Sequence, residues 1–221
     1  MKIATFNINN INKRLANLLD WLRSAKPDVV ALQELKAADA EFPKAALEKA
    51  GYGAVWRGQK SWNGVAILAR GCEPILTRAE LPGDGADAES RYIEAAVRGV
   101  LVTSLYAPNG NPQPGPKFTY KLAWMKRLAA HARELYRAGI PMVLAGDFNV
   151  VPTAATSIRP RPMRKTPCCS RKAARCFGAF STKAGSMPSA RAIPTRRCTR
   201  SGTTCGIAGR ATRGCASTIS C

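Results

Sequence analysis

Five residues able to do chemistry stand at the ends of apolar runs: Asn7 after KIATF, Glu34 after DVVALQ, Tyr106 after VLVTSL, and Asp147 and Asn149 after PMVLAG. Strand ends in layered α/β folds are where sites collect, so these groups can converge. Glu34 and the amide oxygen of Asn7 suit a hard cation such as Mg²⁺, which takes one or two carboxylates and completes its shell with water and substrate phosphate; oxygen ligands suit Mn²⁺ as well. Asp147 could orient or deprotonate a water, and Asn149 could hold a phosphoryl oxygen. Each also has a plainer reading: Asn7 and Asn149 as turn residues, Glu34 as a solvated strand end, Tyr106 as a core aromatic with its hydroxyl at the rim. His131, the only histidine, falls inside a helical pattern and reads as a packing or surface residue.

The elements that must position these groups follow from periodicity. Strands are predicted over 2–8, 28–34, 52–57, 63–70, 91–97, 100–108 and 141–150. Asn12 is expected to cap a helix whose Leu15, Leu18, Leu19 and Leu22 share one face and which Pro27 ends. A short helix is expected over 43–50. A long one over 117–138 places Leu122, Met125, Leu128, Ala132 and Leu135 on one face before Gly139 stops it. Strands and helices mixed with hairpins indicate an α/β layered sheet with helices on its face.

The net charge of +20 is unevenly spread. Residues 1–153 hold 20 Lys/Arg and 14 Asp/Glu, whereas residues 154–221 hold 14 Lys/Arg and no Asp, Glu or His. Seven of the eight cysteines (168, 169, 176, 198, 205, 215 and 221) lie in that tail, without CxxC pairs or His partners for zinc. The start, MKIATFNINN, has no apolar signal core, and no segment reaches the apolar length of a membrane span, so a cytoplasmic chain with free thiols is expected. The tail lacks Leu and Val and shows no period; disorder is its default expectation.

Read in order, TFNINN (5–10), ALQELK (31–36), WNGVAIL (62–68), SLYAPNG (104–110) and AGDFNVVPT (145–153) resemble the exonuclease III and AP endonuclease family of DNA-repair nucleases. The resemblance covers residues 1–153 almost continuously. It implies a four-layer α/β sandwich, two sheets face to face between helices, of which this segment supplies the N-terminal half. It places Asn7 and Glu34 on metal-site positions, Tyr106 on a phosphate-contacting tyrosine, and Asp147 and Asn149 on a catalytic Asp-x-Asn that also serves the metal. Lys60, Asn63, Arg91 and Asn109 are weaker candidates for phosphate or DNA contact. The implied reaction is Mg²⁺-dependent hydrolysis of double-stranded DNA, 3′ to 5′ from ends or beside an abasic sugar, by a monomer. A phosphatase or lipid phosphodiesterase of the same superfamily shares the Glu and Asp-x-Asn motifs, but the SLYAPNG context favours DNA.

The resemblance breaks after Thr153. The family completes its site with a further acid and an Asp-His pair in a context like G-L-R-x-D-H, and this tail has no such residues. Back-translating GTTCGIAGRATRGCASTISC (202–221) with GC-rich codons and reading one nucleotide earlier permits WDYMRNRWPRDAGLRLDHLL. The same shift permits DIYPT from TSIRP (156–160) and ALLQPESRAV from TPCCSRKAAR (166–175). The expectation is an out-of-frame translation from about Ala154 and an impaired or inactive chain. Two alternatives are a DNA-binding protein without catalysis and a non-functional product. With half the sandwich missing, the inner face of the first sheet would lie open as an apolar patch.

Overall fold

A strand apolar on both faces needs cover on both sides, and β2 (Val29–Gln33) is buried along its whole length. The computed structural model describes residues 1–150, the single positions Lys172 and Arg175, and the backbone of residues 205–208 and 216–217. In the first sheet, Tyr52–Arg57 (β3), Val65–Arg70 (β4), β2, Ile3–Asn7 (β1) and Cys205–Ala208 (β9) lie side by side. In the second, Ala216–Ser217 (β10), Met142–Asp147 (β8), Val100–Tyr106 (β7), Tyr92–Val97 (β6) and Ile75–Arg78 (β5) do the same. β1 runs parallel to β2, and β7 parallel to β8, so the polar ends of both pairs point the same way.

Three apolar clusters define four layers. Leu18 and Leu22 of α1 (Leu15–Ala25) and Leu47 of α2 (Lys44–Lys49) pack on Val30, Leu32, Ala66 and Leu68. Trp124, Met125 and Leu128 of α3 (Pro116–Arg137) pack on Leu101, Leu105, Met142 and Leu144. Between the sheets, Val29, Ala31, Val65 and Ile67 meet Ile93, Ala95, Val102, Val143 and Ala145. Alternate residues of β2 and β8 thus enter different clusters, as the period-two geometry of a strand requires. The α/β sandwich read from the sequence is present, and the predicted open inner face is not: β6, β7 and β8 cover it.

Three local readings need correction. Asn12 does not cap α1; the helix begins at Leu15 after a turn in which Asn10 Oδ1 accepts from the Lys13 amide, and Asn12 donates to the Glu41 carbonyl. β5 was not expected; its four residues are exposed and carry no alternation, and it exists because β6 offers an edge. β9 and β10 were not expected in the tail, and they add one strand each to β1 and β8. The low order and the altered frame read for the tail otherwise concern residues outside the described set, as do the side chains of its cysteines; Cys72 is a free thiol. No helix among the described residues is long and apolar enough to cross a membrane.

Candidate functional site

The parallel pairs β1–β2 and β7–β8 bring four of the five strand-end groups into one cluster. Asn7 stands between two carboxylates, its Nδ2 donating to Glu34 Oε1 at 2.9 Å and to Asp147 Oδ2 at 3.0 Å. The Tyr106 hydroxyl donates to Glu34, and Lys36 Nζ lies 2.8 Å from Glu34 Oε2. Asn149, two residues beyond Asp147, closes the loop: its amide donates to Asp147 Oδ1 at 2.9 Å and its side chain to the Ala107 carbonyl at 2.8 Å. Because Asn149's own side-chain nitrogen is spent on backbone, it shapes the Asp147 loop here.

Local backbone geometry aims these side chains. Glu34 has φ 55° and Asn149 φ 50°, a left-handed conformation uncommon outside glycine and costly for a glutamate. Neighbours hold Glu34 there: its carbonyl accepts from the Asn10 amide, and the amides of Leu35 and Lys36 donate to the Gly64 and Asn63 carbonyls. Gly146 lets β8 approach β7 before Asp147, since a Cβ there would run into the Leu105 carbonyl.

Registration between the two sheets comes from a buried polar link. Thr5 Oγ1 donates to Gln33 Oε1 at 3.3 Å, Gln33 Nε2 donates to Ser104 Oγ at 3.1 Å, and Ser104 Oγ donates to the Leu32 carbonyl at 2.8 Å. All three side chains are fully buried. Thr5, Gln33 and Ser104 lie one or two residues before Asn7, Glu34 and Tyr106, so this link fixes the half-sites of the two sheets against each other.

The two carboxylates are set apart electrostatically. Burial pushes Glu34 up, but hydrogen bonds from Asn7, Lys36 and Tyr106 and the charge of Lys36 outweigh it and hold Glu34 below the usual glutamate range. Burial dominates at Asp147 and raises it, against the hydrogen bonds of Asn149 and Asn7, with Glu34 adding repulsion. The Tyr106 hydroxyl is raised by burial and then by Glu34, so it stays a donor. A carboxylate that stays ionised beside one whose pKa is raised is the split that acid–base chemistry uses.

A hard cation fits this donor set by its chemistry: Glu34 is kept ionised, Asn7 has a carbonyl oxygen beside its bridging nitrogen, and Asp147 is adjacent. Among the described residues no group of three or more His, Cys, Asp or Glu could hold a metal alone, so water and substrate would have to complete the shell.

The weaker candidates divide. Arg91 lies over the Tyr106 ring, 5.2 Å from guanidinium carbon to centroid, and is at the site. Lys60 and Asn109 are exposed on neighbouring loops, with Asn109 Oδ1 accepting from the Asn111 amide. Asn63 is buried, and its side chain is spent on Gln59 and Glu89. His131 is a packing residue, as read: it is buried against Glu94 Oε2 at 2.7 Å. Sequence reading missed Lys36, Gln33 and Lys121. For Lys121 a signal existed, because it precedes Trp124 by three and Leu128 by seven and so sits on the apolar stripe of α3.

The profile of the Endonuclease/Exonuclease/phosphatase family matches residues 4–214. Exodeoxyribonuclease III of Haemophilus influenzae is 34% identical over 158 residues, which are 69% of this chain and 59% of that protein. The solved AP endonuclease from Archaeoglobus fulgidus is 33% identical with a TM-score of 0.77, over 82% of this chain and 70% of that one. A 3′ phosphatase from Neisseria, solved with a product DNA hairpin, is 36% identical with a TM-score of 0.77, over 82% and 70%. The chain therefore spans about three fifths of the length of the Haemophilus relative.

Proposed function

Because the chain belongs to the endonuclease/exonuclease/phosphatase family, in its exonuclease III and AP endonuclease branch, we propose that it carries the metal-side half of a DNA-repair phosphodiesterase site. The observation that carries this reading is the Asn7 amide joining Glu34 of the first sheet to Asp147 of the second. Glu34 with the Asn7 oxygen would hold Mg²⁺ or Mn²⁺, with Asp147 and Asn149 beside them, and the ion would stabilise charge on the phosphate and the leaving oxygen. Asp147 would take the proton from water. Arg91, Lys60 and Asn109 would meet phosphates of double-stranded DNA, and Tyr106 would keep its proton as a donor toward phosphate.

The reaction that the family resemblance implies needs partners that residues 154–221 do not supply. Residues 154–221 hold no Asp, Glu or His, so a second acid and an Asp-His pair have no counterpart among them. Residues acting as a unit lose orders of magnitude in rate when one is removed, so this chain is impaired or inactive, and a monomer in the cytoplasm is its expected state. We attribute the loss to a change of reading frame near Ala154; independent reads of the locus that agree with the frame as given would contradict this. One observation favours a second reading, in which the tail is part of the fold: the family match runs to residue 214, and β9 and β10 extend both sheets.

The half-site can be tested without turnover. Mn²⁺ added to the chain should show one site by electron paramagnetic resonance, lost in Glu34→Ala. Equal binding by parent and variant would refute the ligand assignment. Salt-sensitive binding of duplex DNA without cleavage would place the chain among non-catalytic DNA-binding proteins.

A further inference from the structure

Lys121 is the one large charged side chain in α3 with no exposure at all. Its Nζ donates to the Pro108 carbonyl at 2.9 Å and to the Asn149 carbonyl at 2.7 Å. Those carbonyls belong to the two loops that leave β7 and β8, directly after Tyr106 and Asp147. The loops already touch, since the Ala107 amide donates to the Asp147 carbonyl at 2.8 Å and Asn149 Nδ2 to the Ala107 carbonyl. Lys121 adds a third tie from a different element, and it grips the residue whose amide holds Asp147 Oδ1.

Burying an ammonium costs more than two hydrogen bonds to neutral carbonyls return. A methionine would fill the same space on the apolar stripe without that penalty. What the charge adds is attraction for the nearby Asp147 carboxylate and a fixed place for the left-handed Asn149 backbone. We propose that Lys121 is a positioning residue for the Asp147-x-Asn149 segment: it locks the loops after β7 and β8 together from α3, and does not itself touch substrate. This rests on the half-site reading above, because only there does the geometry of that segment matter for a reaction.

The test is amide hydrogen exchange by NMR on the full chain, with Lys121→Met and Lys121→Gln. It uses neither metal nor DNA, so its failure is separate from a failure of the nuclease reading. In Lys121→Met the Asn149 amide should exchange about tenfold faster or more, the cost of one to two lost hydrogen bonds to that loop. The amides of Val102 and Leu144, in the strands themselves, should keep their parent rates. Lys121→Gln, which keeps a neutral donor, should fall between parent and Met, and it carries the comparison alone if the Met variant does not fold. Unchanged exchange at Asn149 would overturn the proposal. So would an acceleration shared equally by Val102 and Leu144, which would make Lys121 a residue of the fold and nothing more.

Discussion

At the scale of residues, the site is a contrast between two carboxylates 113 positions apart in the chain and joined by one amide. Their environments give opposite dependences of stability on pH. Glu34 is held below its ordinary value of 4.5, so its contribution is present above that pH and is lost as pH falls through the folded value. Asp147 is raised above 3.8, so the fold loses stability as pH rises from there through the raised value. Melting curves across this acid range should therefore separate two variants. The parent should gain on Glu34→Gln as pH rises and lose ground to Asp147→Asn; parallel curves for the two would contradict the assigned environments. Asn7, Glu34, Tyr106, Asp147 and Asn149 were legible in the sequence because each is a polar residue ending an apolar run. Lys36 and Gln33 were not: Lys36 is met by Asn9 from the turn after β1, and Gln33 by Thr5 and Ser104 from β1 and β7.

At the scale of elements, two buried polar contacts set how layers meet. The Thr5–Gln33–Ser104 link crosses an otherwise apolar interface between the sheets. Gln33→Met should destabilise by about 1–2 kcal/mol in urea unfolding, because Thr5 and Ser104 hydroxyls stay buried with fewer partners. Gln33→Met should also weaken Mn²⁺ binding, and adding Thr5→Val and Ser104→Ala should recover most of the stability loss while that binding stays weak. Recovery of both together would mean that the link has no part in registration. Across the second sheet, Glu94 accepts from the Tyr92 hydroxyl at 2.7 Å and pairs with His131 of α3. His131→Ala should cost about 3 kcal/mol by leaving a buried carboxylate short of its partner. A change near zero would show that Tyr92 and Arg78, whose Nε lies 3.5 Å from Glu94 Oε1, suffice. Most elements were readable from period alone. β5 was not, since four exposed residues form a strand only through pairing with β6, and the start of α1 was missed because Asn10, two residues earlier than Asn12, makes the turn.

At the scale of the whole molecule, the charge and the fold belong to different parts of the chain. The described residues 1–150 close two sheets on each other with helices outside, and this part carries all 14 Asp and Glu side chains of the chain. The last 68 residues add 14 positive charges and no group able to replace an acid or a histidine. That asymmetry was visible in composition, and its cause is a question about the gene as much as about the protein. The proposed half-site lies in residues 1–150, and residues 154–221 hold no acid or histidine to complete it. The most direct measurement is Mg²⁺-dependent cleavage of duplex DNA carrying an abasic site, by this chain and by a version with the reading frame restored from residue 154. Cleavage is expected from the restored version alone and should be abolished there by Glu34→Ala. Cleavage by the chain as it stands, also abolished by Glu34→Ala, would contradict this expectation.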